Sequence, residues 1–256
     1  MGAQGTMKRI AVAVLVAALA LAACGGSGGK ASKRSSFVSS TTTAALYAPE
    51  LVGAPVVLSV DYGLPNATGW STAVAFKIRN PGTSPIVNER FKVTVLDATG
   101  AVSTVTTGSD TFSVRPAEER WVVIQPSGIA GARPASAHVT FYAPQVQGAA
   151  AQADPSQWTV SAKVLDCPEA SVECHVSADL AYTGSAPQTD VSVVVVIHQG
   201  VDLSGPVIGA AVTSLPGVIQ PNQSQPLSDE TAVVNKEQKG GTSFKGEVYV
   251  ESFASV

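Results

Sequence analysis

Three cysteines and three histidines are the residues of this 256-residue chain best suited to chemistry. Cys167 and Cys174 bracket a short polar stretch, and His175 follows the second directly. Two thiols at this spacing can close a disulfide across a hairpin, or join an imidazole in metal or redox chemistry. On a strand, neighbouring side chains point to opposite faces, so His175 diverges from Cys174 and the disulfide is favoured. In an oxidising compartment, the eight-residue closed loop contributes roughly 2.5 kcal/mol in the chain-entropy picture. His138, His175 and His198 fall in separate strand-like runs, none in an i, i+4 pair or a nucleophile motif. His198 ends a Val-rich run before Gln199-Gly200 and reads as an edge histidine. Glu118, Glu119 and Arg120 read as a solvated charge run in a turn, because adjacent positions diverge. The two methionines stand at positions 1 and 7, ahead of any mature chain, which removes thioether ligands. These residues suggest no catalytic set, no metal site and no cofactor.

The third cysteine has a different setting. Lys8 and Arg9 precede an uninterrupted apolar run from Ile10 to Ala23, and glycines follow Cys24. Fourteen residues are too few to span a hydrocarbon core of about 30 Å, but they suit the central region of a secretory signal. Met7 reads as the start of that signal, with Met1 the other candidate. Leu21-Ala22-Ala23-Cys24 resembles the lipobox of bacterial lipoproteins position for position. The resemblance covers residues 7 to 26 and implies cleavage between Ala23 and Cys24, a diacylglyceryl group on the Cys24 thiol, and acylation of the new amine as an open question. An ordinary signal peptide with a cysteine near its cleavage point is the alternative. Each buried methylene contributes about 0.8 kcal/mol, so two or three acyl chains would anchor the protein where one would be marginal.

Composition bounds the rest. Apolar residues make up 45% of the chain, but aromatics only 6% and charged residues 14%. Much of the apolar share is Val, which suits pleated, half-buried backbone and points to an all-β protein. The formal charge of −3 becomes −5 once Lys8 and Arg9 leave with the signal, and a mildly acidic body argues against nucleic-acid binding. Residues 24–50 are rich in Gly, Ser and Thr without apolar periodicity and read as a flexible tether. Its Lys30, Lys33 and Arg34 serve either solubility or contact with anionic headgroups. From Pro55 the pattern turns to short strands: Val74, Phe76 and Ile78 share one face, opposite Lys77 and Arg79, and Phe91, Val93 and Val95 share another. Such runs, separated by turn residues, predict a sandwich of about seven strands.

The second half repeats the first. "VVLSVDYGLP" matches "TVSAKVLDCP", "AFKIRNPGTSP" matches "SADLAYTGSAP", "FSVRPAEERW" matches "GVIQPNQSQP", and "AHVTFY" resembles "GEVYVE". The matches keep their order and an offset of 102 to 105 between the aligned prolines. Two tandem Ig-like antiparallel β-sandwich domains are therefore expected, over residues 51–145 and 157–256, with a linker at 146–156 and the signal peptide at 1–23. A strand ending in a polar turn, then "FKVTVLDATGAV", then a Pro-containing turn, resembles the FxLYD-like family of small bacterial sandwich domains. The second copy departs from that pattern, with a longer hairpin in which no Asp-x-x-Gly turn is recognised. The family carries no catalytic residues, so the resemblance implies none. Asn66 and Asn222 match glycosylation patterns but read as turn residues.

The expectation is a non-enzymatic, exported protein held by lipid on the extracytoplasmic face of the cell membrane. Its two sandwiches would serve binding or adhesion to an envelope protein or glycan. The loops at Asn80–Asn88 and Thr183–Asp190 are the candidate surfaces. The alternatives are a secreted hydrolase and a metal or redox accessory protein on the same scaffold.

Overall fold

The computed structural model describes residues 48–61, 69–84, 86–87, 90–108, 113–126, 128–142, 155–168, 173–235 and 243–254. These residues are all-β, in antiparallel sheets, with a single 3-10 turn at Pro155–Gln157. Residues 1–47, with the expected signal, lipobox and most of the tether, lie outside them.

The first half holds β1 (Glu50–Leu51), β2 (Val56–Asp61), β3 (Gly69–Arg79), β4 (Ile86–Val87), β5 (Phe91–Asp97), β6 (Val102–Gly108), β7 (Ser113–Val114), β8 (Glu119–Ile124), β9 (Ile129–Ala130) and β10 (Pro134–Phe141). The second holds β11 (Trp158–Asp166), β12 (Glu173–Tyr182), β13 (Gln188–Gln199), β14 (Val207–Ser214), β15 (Ser224–Val234) and β16 (Phe244–Ala254). In the first half β3 pairs with both β2 and β8, and β5 with both β6 and β10. In the second, β12 pairs with β11 and β15, and β13 with β14 and β16. These four pairings of the longer strands recur in order, while β1, β4, β7 and β9 add short pairings in the first half.

The turns repeat in atomic detail. Pro116 and Pro221 each precede a non-glycine residue in left-handed backbone, Ala117 at φ 62° and Asn222 at φ 60°. Proline second and positive φ third is the type II arrangement. In one turn the Glu118 amide donates to the Arg115 carbonyl (3.0 Å), and the Arg115 amide donates to the Glu118 carboxylate (2.8 Å). In the other, the Gln223 amide donates to the Gln220 carbonyl (3.1 Å), and the Gln220 amide donates to the Gln223 side-chain oxygen (2.8 Å). After β3 the Asn80 amide group donates to the Ser84 carbonyl (2.8 Å); after β12 the Tyr182 hydroxyl donates to the Ala186 carbonyl (2.8 Å). Tyr182 lies so close over Gly184 that a β-carbon there would come within 2.1 Å of the phenol oxygen.

The hairpin turn repeats as well, against expectation. The Asp97 carboxylate accepts bonds from the Thr99 amide (2.8 Å) and hydroxyl (2.7 Å), and Asp202 accepts them from the Ser204 amide (2.9 Å) and hydroxyl (2.6 Å). These hydroxyl and amide donors hold both carboxyl groups below the usual aspartate range. Asp202-Leu203-Ser204-Gly205 is thus the counterpart of Asp97-Ala98-Thr99-Gly100; the longer β13–β14 connection hides it in the sequence.

Among the described residues the buried apolar side chains form three clusters. One lies inside the first half, between Val74, Phe76 and Ile78 of β3 and Phe91, Val93 and Val95 of β5. A second lies inside the second half, where Cys174, Val176, Ala178, Leu180 and Tyr182 alternate inward from β12. A third is shared: Leu58, Ala73, Ala75 and Val123 of the first half meet Val194, Val196, Val207, Ala210 and Val233 of the second. Thr43–Val256 accordingly forms one compact unit. The shared cluster explains why β3 is buried on both faces from Thr72 to Phe76 and why β13 is buried from Val193 to His198. At the corner between β14 and β15, a β-carbon on Gly209 would sit 3.0 Å from Val234 and 3.1 Å from Ile197, so only glycine fits there comfortably.

The turn geometry yields a prediction. Left-handed backbone costs alanine about 1–2 kcal/mol, and glycine's greater freedom in the unfolded chain returns about 0.4–1 of that. Ala117→Gly should therefore raise stability by about 0.5 kcal/mol, read as a higher urea midpoint at unchanged m-value. A lower midpoint would contradict the strain.

Candidate functional site

Of the residues singled out from sequence, Ala23 and Cys24 lie outside the described residues. Cys167 and Cys174 are joined by a disulfide. Cys174 is fully buried in the core of the second half, and Cys167 packs at its edge. His138 is exposed on β10 and His175 sits on β12, so the structure does not bring the histidines together. Among the described residues no group of three or more His, Cys, Asp or Glu is placed to hold a metal ion. No helix among them is long and apolar enough to cross a membrane.

The candidate loops are partly consumed by their own architecture. Asn80 is fully buried: its side-chain amide also donates to the Val114 carbonyl (2.9 Å), and its oxygen accepts from the Gly82 amide (2.8 Å). Gln188, 1% exposed, donates to the Tyr182 hydroxyl (2.8 Å) and the Ala186 carbonyl (2.9 Å). Pro85 and Asn88 of the first loop lie outside the described residues.

The densest polar constellation lies elsewhere, where the two halves meet, and it corrects two expectations. Arg120 is not solvated but 2% exposed, and its guanidinium donates to the Glu251 carboxylate. Its neighbour Glu119 turns outward to pair with Lys77 at 3.0 Å. His198 is not at an edge, because β13 is flanked by β14 and β16, and it is 2% exposed. Its Nδ1 lies 2.9 Å from the Gly205 carbonyl, and its Nε2 lies 3.5 Å from the Glu247 carboxylate. The Tyr249 hydroxyl donates to Glu247 as well. The Trp121 ring stands edge-on to His198, with centroids 6.0 Å apart.

Strand alternation builds this cluster. Val248 and Val250 of β16 turn into the second half's core, which leaves Glu247, Tyr249 and Glu251 for the opposite face. That face meets β8 of the first half, which supplies Arg120 and Trp121. Burial and the carboxylate of Glu247 push the Tyr249 phenol far above its ordinary value, so it stays protonated. A cleft of about 120 Å³ opens beside the cluster, lined by Glu118, Arg120, Trp158, Val160, Val248, Tyr249 and Val250. Liquid water occupies about 30 Å³ per molecule, so the cleft admits only a few waters. Arg120–Glu251 and Trp121–His198 cross the junction, while Glu247 gathers His198 and Tyr249 from the second half's side.

Sequence reasoning passed over Glu247, Tyr249 and Glu251 because a polar set alternating with valines on a strand reads as a solvent face. The one signal available was Arg120-Trp121 set directly against the apolar run Val122-Val123-Ile124. No protein-family model matches the chain and no curated protein matches it.

Two outcomes follow from this junction. Removing one member of a buried ion pair strands the other, so Arg120→Met should cost about 3–5 kcal/mol, whereas Arg120→Met with Glu251→Met should recover most of that loss. Chemical denaturation of the four proteins of the cycle measures this. For Tyr249, the folded state binds the phenolic proton more tightly than the unfolded one. Its contribution is therefore intact below the ordinary phenol pKa of about 10 and fades as the pH rises above it. Tyr249→Phe should flatten the alkaline limb of a stability–pH profile.

Proposed function

We propose that this chain is a non-enzymatic lipoprotein, exported and held by lipid on Cys24 at the extracytoplasmic face of the cell membrane. There it presents its paired β-sandwich halves for binding or adhesion to another envelope component. The observation that carries this reading is the sequence Lys8-Arg9, the apolar run Ile10–Ala23 and the lipobox-like Leu21-Ala22-Ala23-Cys24. The Cys167–Cys174 disulfide supports export, since disulfides persist in oxidising compartments and are rare in the cytosol. It also occupies the other two thiols, leaving Cys24 as the cysteine available for lipid. The Gly/Ser/Thr-rich stretch of residues 24–50 serves as the spacer between anchor and sandwich. The likeness to FxLYD-like domains, which rests on the turn and strand motifs, fits a binding role. A rigid two-sandwich body on a tether has its loops available at the far ends, and such loops are where sandwiches commonly bind.

Metabolic labelling with a fatty-acid probe, followed by membrane fractionation, tests the anchor. The wild-type chain should take up label and pellet with membranes, while Cys24→Ser should lose the label and leave the membrane or accumulate unprocessed. Membrane retention without label in the wild type would refute it.

A further inference from the structure

The longer strands of the two halves pair alike, but one of them differs at its edge. In the second half, β14 pairs with β13 on one edge and meets β15 on the other, through Gly209↔Val234 and Ala210↔Val233. Its counterpart β6 pairs with β5 alone; no strand among the described residues pairs with its other edge. The neighbouring edges are covered: β2 lies against β10, β8 against β13 and β14, and β11 against β16, whereas β6, beyond its partner β5, approaches only the two-residue β9 closely and does not pair with it. β6 also exposes apolar side chains, with Val102 62% and Val105 47% exposed.

An open edge is a template for another strand, and proteins usually guard it with charge, proline or a very short strand. β6 has none of these guards. Its seven residues, Val-Ser-Thr-Val-Thr-Thr-Gly, carry no charge and no proline, and five of them are β-branched. Of the described strands longer than two residues, only β6, β10 and β14 lack Asp, Glu, Lys and Arg. Of these, β10 begins with Pro134 and lies against β2, and β14 is paired on both edges and largely buried.

We propose that β6 is a docking edge for β6 of a second copy of this chain, in antiparallel register about a two-fold axis. Charge selects this occupant. A two-fold axis sets the central residue against its own copy and its neighbours against each other, so charge near the axis would repel itself. The chain is acidic overall, and β6 offers a neutral window in it. A foreign strand recognised by charge would find nothing here to read. With the axis at Val105, Val105 faces its own copy and Thr104 faces Thr106. These are β-branched pairs that stabilise antiparallel sheets. The three-stranded sheet β10-β5-β6 becomes six-stranded across the axis.

The test uses the full chain carrying Cys24→Ser, so that an introduced cysteine is the sole unpaired thiol. Directly opposed residues in an antiparallel pair have Cα atoms about 4.5–5.5 Å apart, within disulfide reach. Val105→Cys should therefore give a covalent dimer under mild oxidation, whereas Val164→Cys, 60% exposed on β11, should not. Sedimentation of the parent should show a concentration-dependent dimer. Val105→Lys, which sets two ammonium groups against each other at the axis, should weaken it by at least about tenfold. Unchanged thermal unfolding by circular dichroism would exclude misfolding of these variants. A monomer at every concentration, a dimer indifferent to Val105→Lys, or equal crosslinking at Val164→Cys would overturn the proposal.

Discussion

The contact between the outer face of β2–β3–β8 and the face of β13–β14 is the constraint on which the other features depend. Leu58, Ala73, Ala75 and Val123 cannot be solvated there, because Val194, Val196, Val207, Ala210 and Val233 cover them. Each fully buried Val or Leu is worth about 1.5–3 kcal/mol, so separating the halves would expose a further core to water rather than release a pair of independent domains. Two consequences follow. β3 and β13 must be apolar on both faces, and polar groups caught at the rim of the contact must find partners within it.

Arg120 and Glu251 are those partners. An ion pair in this setting adds little net stability over an apolar pair of the same shape, since both charges have lost their water. What it adds is geometry: a misaligned contact leaves two buried charges unpaired. Tyr249, Glu247 and His198 extend the same logic, with the phenol kept protonated as a donor to the carboxylate. Apolar surface supplies the attraction between the halves, and the polar cluster fixes their register.

The internal repeat shows which features of a sandwich are interchangeable. Asn80 and Tyr182 share no chemistry beyond a donor of the right reach, yet each captures the carbonyl four residues on. Glu118 and Gln223 each accept from the amide three residues earlier. The turn requires an acceptor or donor at a position, and several residue types meet that need. This tolerance lets two copies drift in sequence while keeping the same pairing.

The all-β character, the strand positions, the repeat, the Pro-containing turns and the nearness of Cys167 to Cys174 were all legible in the residues. Each follows from local physics: side-chain alternation, β-branched preference, fixed proline φ and short loop closure. Alternation alone could not show that Ala73 and Ala75 face a second core, because small residues opposite a valine face look like a quiet solvent side. Nor could it show that Arg120 and His198 are buried, because burial there is completed by strands distant in the chain, β16 over Arg120 and β8 and β16 around His198. The sequence determined the elements and their turns; the packing of one sheet face on another decided which polar residues became structural and which edge was left open.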